Sequence, residues 1–226
     1  KMQRQPRIWM KAVAVAGVCA LGLYAAVGAQ GQAPRYKYDP EWPKPLPNKW
    51  KIGGVTGLAV DKDDNVWSVD EGSNLVLKWA PDGTLLMVLG KRPDPIDQLD
   101  MMPGTAPFSG MARPYSFHRP TDVTWDPQGN IFVSDGYCNN RVVKYDRNGR
   151  FLAQVGSEKP GKGLGEFNLP HGLQVDEQGN VWVADRTNFR YQVLDNNLKP
   201  IREITNLGVG WTVCISPGPH QYVFHS

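Results

Sequence analysis

Three stretches of this chain are near copies of one another. They read VTGLAVDKDDNVWSVD from Val55, PTDVTWDPQGNIFVSD from Pro120 and PHGLQVDEQGNVWVAD from Pro170. Each runs from a small or polar start into a short apolar segment that ends in Asp or Glu-flanked Asp. A polar turn holding Asn follows, and then a second apolar segment ending in Asp. Self-similarity at this spacing marks a repeat architecture. One unit has too little apolar face to stand alone, so the copies must pack side by side.

Each copy resolves into four short strands. In the second copy they are predicted at Asp122 to Trp125, Ile131 to Ser134, Val142 to Tyr145 and Leu152 to Val155. In the third they fall at Leu173 to Val175, Val181 to Ala184, Gln192 to Leu194 and Ile201 to Ile204. The joints DPQGN, DGYCNNR and DRNGR are rich in Asp, Asn and Gly, which is turn chemistry. The stretch from residue 34 onward shows no helical periodicity over ten residues or more. Four-stranded units repeated in this way predict an all-β fold, a β-propeller. A fourth copy opens near Trp211 with VCISPGPHQYVFHS, so the sequence holds about three to four blades. Propellers close with typically 4 to 8. The expectation is therefore either a longer natural chain or a ring or stack completed by other copies, since a partial ring exposes sheet edges.

Three domain segments are expected. Residues 1–33 read as a signal peptide or N-terminal hydrophobic segment: Lys1, Arg4, Arg7 and Lys11 precede an uncharged run from Ala12 to Ala29. That run is rich in Ala and Gly, which makes a weak spanning helix. Export follows, to a secreted or periplasmic location, with membrane contact only where this segment is uncleaved. Residues 34–52 are an extended leader rich in proline and aromatics. Residues 53–226 form the partial propeller, with an insertion at 91–117 that holds Met101, Met102 and Met111. A span this long is functional, interface-forming or mobile, or it pads the side of the ring.

Charge excludes one class of partner. The four basic residues of the first segment leave 21 Lys and Arg against 22 Asp and Glu. No basic stripe remains, so no nucleic acid is expected. Cys138 and Cys214 are read as two free thiols, or as a pair that an exported chain could oxidise.

The turns DGYCNNR from Asp135 and DRTNFR from Asp185 occupy equivalent joints. Asp135 and Asp185 are expected to cap backbone N–H groups, and Arg141 and Arg190 to pair with them or with neighbouring carbonyls. Asp70 with Asn74 has that task in the first copy. Tyr137 and Arg186 are surplus to the turn. A phenol beside a guanidinium is a candidate proton-transfer pair, a reading set against a merely structural one. His171 opens the first strand of the third copy, where the other copies have Thr56 and Thr121. One His is not a zinc site, which takes three or four ligands.

FHRPTDVTWDPQGNIFVSDGYCNNRVVKYDRNGRF followed by FNLPHGLQVDEQGNVWVADRTNFR resembles the NHL-repeat family, and within it peptidyl-α-hydroxyglycine α-amidating lyase and its bacterial relatives. The resemblance implies a six-bladed propeller with zinc in its channel and a structural calcium ion. It implies cleavage of peptidyl-α-hydroxyglycine to a peptide amide and glyoxylate. Carried over by position, Tyr137 is the base, Arg186 an assisting arginine and His171 one zinc ligand. Thr56 stands where the family has a second His, and His118 stands where it has a cysteine.

The functional expectation is thus a lyase-like exported propeller, with a peptide or small-molecule ligand in its channel. The alternative is a non-catalytic propeller that binds partners or self-associates through open sheet edges into an oligomer or filament. A third reading is a calcium-dependent, lactonase-like propeller.

Overall fold

A computed structural model describes residues 37–92 and 113–226. The expectations for the first 33 residues, and for most of the 91–117 span with its three methionines, lie outside the described residues. The chain divides into the units Lys1–Pro40 and Glu41–Ser226. The first is described only at residues 37–40, which form no strand or helix.

All sheets among the described residues lie in the second unit. The first consists of β1 (Val55–Val60), β2 (Val66–Asp70), β3 (Leu75–Trp79) and β4 (Leu85–Gly90). The second consists of β5 (Asp122–Trp125), β6 (Ile131–Asp135), β7 (Asn140–Tyr145) and β8 (Phe151–Ser157). The third consists of β9 (Pro170–Val175), β10 (Val181–Asp185), β11 (Arg190–Leu194) and β12 (Pro200–Thr205). A two-stranded sheet follows, β13 (Val213–Ile215) with β14 (Val223–His225). Every pairing is antiparallel and every four-stranded sheet is a simple meander. The protein is an all-β propeller built from copied blades.

The turns explain why the copies fold alike. Between β5 and β6, Asp126 Oδ1 accepts the backbone N–H groups of Gln128 and Asn130, at 3.0 and 2.8 Å. The Asn130 amide returns a bond to Asp126 Oδ2 at 2.7 Å. Asp61 with Asn65, and Asp176 with Asn180, repeat the device. A carboxylate that satisfies its own turn makes the hairpin locally self-sufficient.

The strands of the second and third sheets reach further than the sequence implies at the Asp-to-Arg joints. β6 includes Asp135 and β7 begins at Asn140, with Asp135 opposite Arg141 in the ladder. Asp185 and Arg190 pair likewise. Both arginines are buried, and their donors extend the ladder into the preceding connection. Arg141 binds Asp135 and the carbonyls of Ser116 and Arg113. Arg190 binds Asp185, Glu203 and the carbonyls of Lys162, Gly163 and Glu166. In the first sheet Asp70 accepts N–H bonds from Gly53 and Ser73. Asn74 takes a different task from the one expected of it: its carbonyl oxygen accepts the N–H of Arg119 in the next blade.

The core lies between blades rather than within one. Trp67, Val69 and Val76 of the first sheet share a cluster with Val123, Ile131, Val133 and Val143 of the second. Phe132 and Val142 of the second meet Leu173, Val181 and Val183 of the third. Ala184 and Tyr191 of the third meet Val213 and Ile215. Each such side chain contributes about 1.5–3 kcal/mol on burial. Blade stacking is therefore the main source of stability, as a repeat architecture requires. On the outer side of the first sheet, Trp42 and Leu46 pack on Leu75, Leu77 and Trp79, with Trp42 and Trp79 rings 6.1 Å apart.

Candidate active site where the innermost strands begin

The innermost strands β1, β5, β9 and β13 start at one face, and the second-to-third strand turns open on the same face because each first strand runs antiparallel to its second. Adjacent blades are stitched there. Thr56 Oγ1 donates to the Pro120 carbonyl at 3.1 Å, and Thr121 Oγ1 to the Pro170 carbonyl at 2.9 Å. His171 occupies the same place in the third copy, and its Nδ1 lies 2.8 Å from the Trp211 carbonyl. A carbonyl only accepts, so Nδ1 carries the proton. In the neutral ring Nε2 then holds the free lone pair. Histidine thus performs the threonine's stitch and has a second nitrogen left over.

That second nitrogen faces Tyr137. The phenol oxygen is 3.4 Å from His171 Nε2, and the rings meet edge to face with centroids 5.8 Å apart. Burial holds the imidazole below its ordinary pKa. The Arg186 charge pushes the same way, while the bond to Trp211 and the Glu71 charge oppose. A neutral imidazole at neutral pH is the result. Gly136 makes this approach possible: a Cβ there would sit 1.9 Å from the Pro170 carbonyl oxygen.

Arg186, on the short 3-10 turn Arg186–Asn188, lies flat on the Trp211 indole, 3.5 Å from its centroid. Trp211 also meets the His171 ring at 5.3 Å. The guanidinium over Tyr137 belongs instead to Arg119, 4.9 Å from the ring centroid. Arg119 is in turn held by Glu71 at 2.9 Å. The three residues singled out in the sequence therefore gather in one place, with Trp211, Arg119 and Glu71 added. The phenol–guanidinium pairing read from the sequence acquires a different arginine.

Below this cluster the innermost strands line a cleft of about 490 Å³, bordered by Thr56, Asp122, His171 and Trp211. Asp122 accepts the N–H groups of Val123 and of Leu173 in the next blade, at 2.9 and 3.1 Å. Burial raises its pKa to about 6. The sequence signal for it was a charged residue where the sibling copies have Gly57 and Gly172.

Among the described residues, no three His, Cys, Asp or Glu side chains gather where they could share a metal ion. His171 Nε2 is a sound single donor, because its other nitrogen is fixed by a carbonyl. Thr56, in the position matching a family His, is committed to the Pro120 carbonyl. The described residues do not make up a three-imidazole zinc site. Cys138 and Cys214 are both free, and burial pushes the Cys138 thiol up.

Blades of this topology, stitched at one face around a shared cleft, define a β-propeller, and the NHL repeat profile matches residues 117–145 and 167–194. The chain carries NHL repeats over these residues and is similar to peptidyl-α-hydroxyglycine α-amidating lyases. It is 37% identical over 165 residues to peptidyl-glycine alpha-amidating monooxygenase of Mus musculus, covering 70% of this chain and 15% of that protein. It is 34% identical over 147 residues to peptidyl-alpha-hydroxyglycine alpha-amidating lyase 1 of Drosophila melanogaster, covering 60% of this chain and 24% of the relative. The chain thus spans under a quarter of the length of these two relatives. Among solved structures, hydrazine synthase of Kuenenia stuttgartiensis superposes with a TM-score of 0.52 at 13% identity, over 84% of this chain and 43% of that one. That likeness concerns the fold alone.

Proposed function

We propose that this propeller is an exported lyase-like enzyme that cleaves the C–N bond of a peptidyl-α-hydroxyglycine. The single observation that carries the reading is the approach of the Tyr137 hydroxyl to His171 Nε2 at 3.4 Å, with the Arg119 guanidinium over the phenol ring and that of Arg186 on the neighbouring Trp211. The reaction needs a group to take the proton of the α-hydroxyl. As that proton leaves, the C–O bond becomes a carbonyl, the C–N bond breaks and its electrons go to the amide nitrogen, which is protonated. The products are a peptide amide and glyoxylate.

In this scheme Tyr137 in its phenolate form accepts the hydroxyl proton and returns it to the departing amide nitrogen, a general-base and general-acid role that contributes typically 10²–10⁴-fold. Arg186, stacked on Trp211, offers cationic charge to the substrate's carboxylate. His171 holds Nε2 toward the reacting centre and would be one ligand of a zinc ion, which would supply Lewis-acid polarisation of substrate oxygens. Calcium belongs to the same proposal as a structural ion. Export to the secreted or periplasmic space rests on residues 1–33.

The test is glyoxylate release from a hydroxyglycyl peptide, with zinc and calcium content measured on the same sample. Activity that falls at least about 100-fold in Tyr137→Phe supports the reading. Absence of glyoxylate with metal present would end it.

A second reading has an observation of its own. Leu58 and Val60 of β1 are 68% and 62% exposed, and Leu86 and Val88 of β4, at the opposite edge of the same sheet, are exposed as well. Apolar strand faces of this kind suit a partner or another copy of the chain. Concentration-dependent association in sedimentation, abolished by Leu58→Lys, is the outcome expected of that alternative; a concentration-independent monomer rules it out.

A further inference from the structure

We infer that Arg119 is a positioning residue for Tyr137, clamped across the blade boundary by Glu71. The inference rests on the lyase-like reading for its activity measurement and on geometry alone for its structural one. Its main support is a comparison of two copies within the chain.

Arg119 and Leu169 occupy the same place in successive blades. Both hold a left-handed backbone with φ of +59°. The N–H of Arg119 donates to Asn74 Oδ1 at 2.9 Å, and that of Leu169 to Asn140 Oδ1 at 2.9 Å. The Arg119 carbonyl accepts the N–H of Tyr137 at 3.2 Å, and the Leu169 carbonyl that of Arg186 at 3.2 Å. The backbone stitch is therefore complete with leucine in the third copy. A guanidinium is not needed to build it.

What the arginine adds lies entirely in its side chain. Nη2 donates to Glu71 Oε2 at 2.9 Å, in the β2–β3 turn of the preceding blade. The same guanidinium covers one face of the Tyr137 ring at 4.9 Å. The opposite constraint on that ring is the edge-to-face contact with His171. Tyr137 is thus held between a cation from one blade boundary and an imidazole from the next. Planar guanidinium stacking restricts ring rotation in a way that a flexible ammonium matches only in part. Misplacing a reacting oxygen by about 1 Å can cost roughly 100-fold in rate.

Glu71 gives the arrangement its anchor. In the sibling turns its place is taken by Gly136 and Arg186, so no repeat rule demands a carboxylate there. Glu71 and Arg119 are the side chains that connect the first blade to the reactive phenol.

The test uses three variants of the full chain. Arg119→Leu installs the residue that the third copy already tolerates, so folding is expected to survive. Its kcat should fall about tenfold or more, with KM within about twofold, because the lost interaction orients a reacting group rather than binding substrate. Arg119→Lys should recover part of the loss, and Glu71→Gln should show a smaller loss of the same kind. Independently of activity, nuclear Overhauser contacts between the Tyr137 and His171 rings should weaken or vanish in Arg119→Leu and persist in Arg119→Lys. Ring contacts and kcat unchanged in Arg119→Leu would overturn the inference. Should that variant not fold, unchanged ring contacts in Glu71→Gln overturn it equally. A wild-type protein without turnover would sink the lyase-like reading, yet the ring contacts would still decide whether Arg119 positions Tyr137.

Discussion

At Asp122 the copies part company, and the difference has a measurable consequence. Gly57 and Gly172 occupy the matching positions in the first and third blades. Gly57 is what makes the carboxylate possible, since a Cβ there would come within 2.9 Å of Asp122 Oδ1. Two N–H groups serve Asp122, but they do not offset its burial, and its pKa rises to about 6. A carboxylic acid whose folded pKa exceeds the unfolded one favours folding in its protonated form. That contribution is complete below about pH 4 and is lost as pH climbs through 6. A rise of about 2 pH units corresponds to at most about 3 kcal/mol, and partial solvent contact of this side chain reduces it toward 1–2. Asp122→Asn removes the titration. The stability of the variant relative to wild type, followed by urea unfolding, should therefore increase by about 1–2 kcal/mol between pH 4 and pH 7.5. A pH-independent difference would count against a buried, proton-holding carboxyl.

At the scale of the element, the β6–β7 joint shows what was readable in the sequence and what was not. The strands and turns were legible because every copy repeats the same carboxylate-and-asparagine hairpin, and local chemistry suffices to form it. Asp135 and Arg141 were legible as structural partners for the same reason, and the structure gives both side chains no solvent exposure. Removing the cation from such a pair leaves a buried carboxylate without its counter-charge and takes a donor from the carbonyls of Arg113 and Ser116 and from Gln154. Arg141→Met is accordingly expected to lose about 3–5 kcal/mol in a denaturant titration; a loss under 1 kcal/mol would mean that the ladder does not depend on the pair. Tyr137 and His171 were legible because they break the repeat's pattern at a repeated place. Arg119 was not. Its partner Glu71 is 48 residues away, and only the stacking of two blades makes them neighbours. Gly136 was equally silent, since its need for glycine comes from the Pro170 carbonyl of another blade. Gly136→Ala should therefore destabilise by about 2–4 kcal/mol, well beyond the usual range for a surface turn, and circular-dichroism melts would register it as a lowered Tm.

For the molecule as a whole, stability is a matter of neighbours. Each blade contributes one face to the cluster before it and one to the cluster after it, so protection against local opening should follow the number of packed faces. The second sheet is covered on both sides, by Trp67 and Val69 from one direction and by Leu173 and Val183 from the other. Its central residues Val133, Val142 and Val143 have no exposed surface. Among the described residues the β13–β14 pair packs on the third sheet through Val213 and Ile215, and β14 is exposed along its whole length. Native-state hydrogen exchange should thus rank the amides in that order. Those of β6 and β7 should open only with global unfolding, while those of Val223–His225 should exchange at least about 100-fold faster. The third sheet should fall between, because Tyr191 and Ala184 lean on the thinly covered pair. If all blades instead exchanged at one common rate, the chain would be unfolding as a single cooperative block, and the inter-blade clusters would have to be coupled more strongly than nearest-neighbour packing provides. The same gradient bears on the site. His171 is stitched to the Trp211 carbonyl at the weaker boundary, and Tyr137 sits at the stronger one. Opening at the weaker boundary would release Nε2 from its alignment while leaving the phenol in place. Exchange of the Thr212 and Val213 amides measured beside Tyr137 ring contacts at rising temperature would then show the former changing first.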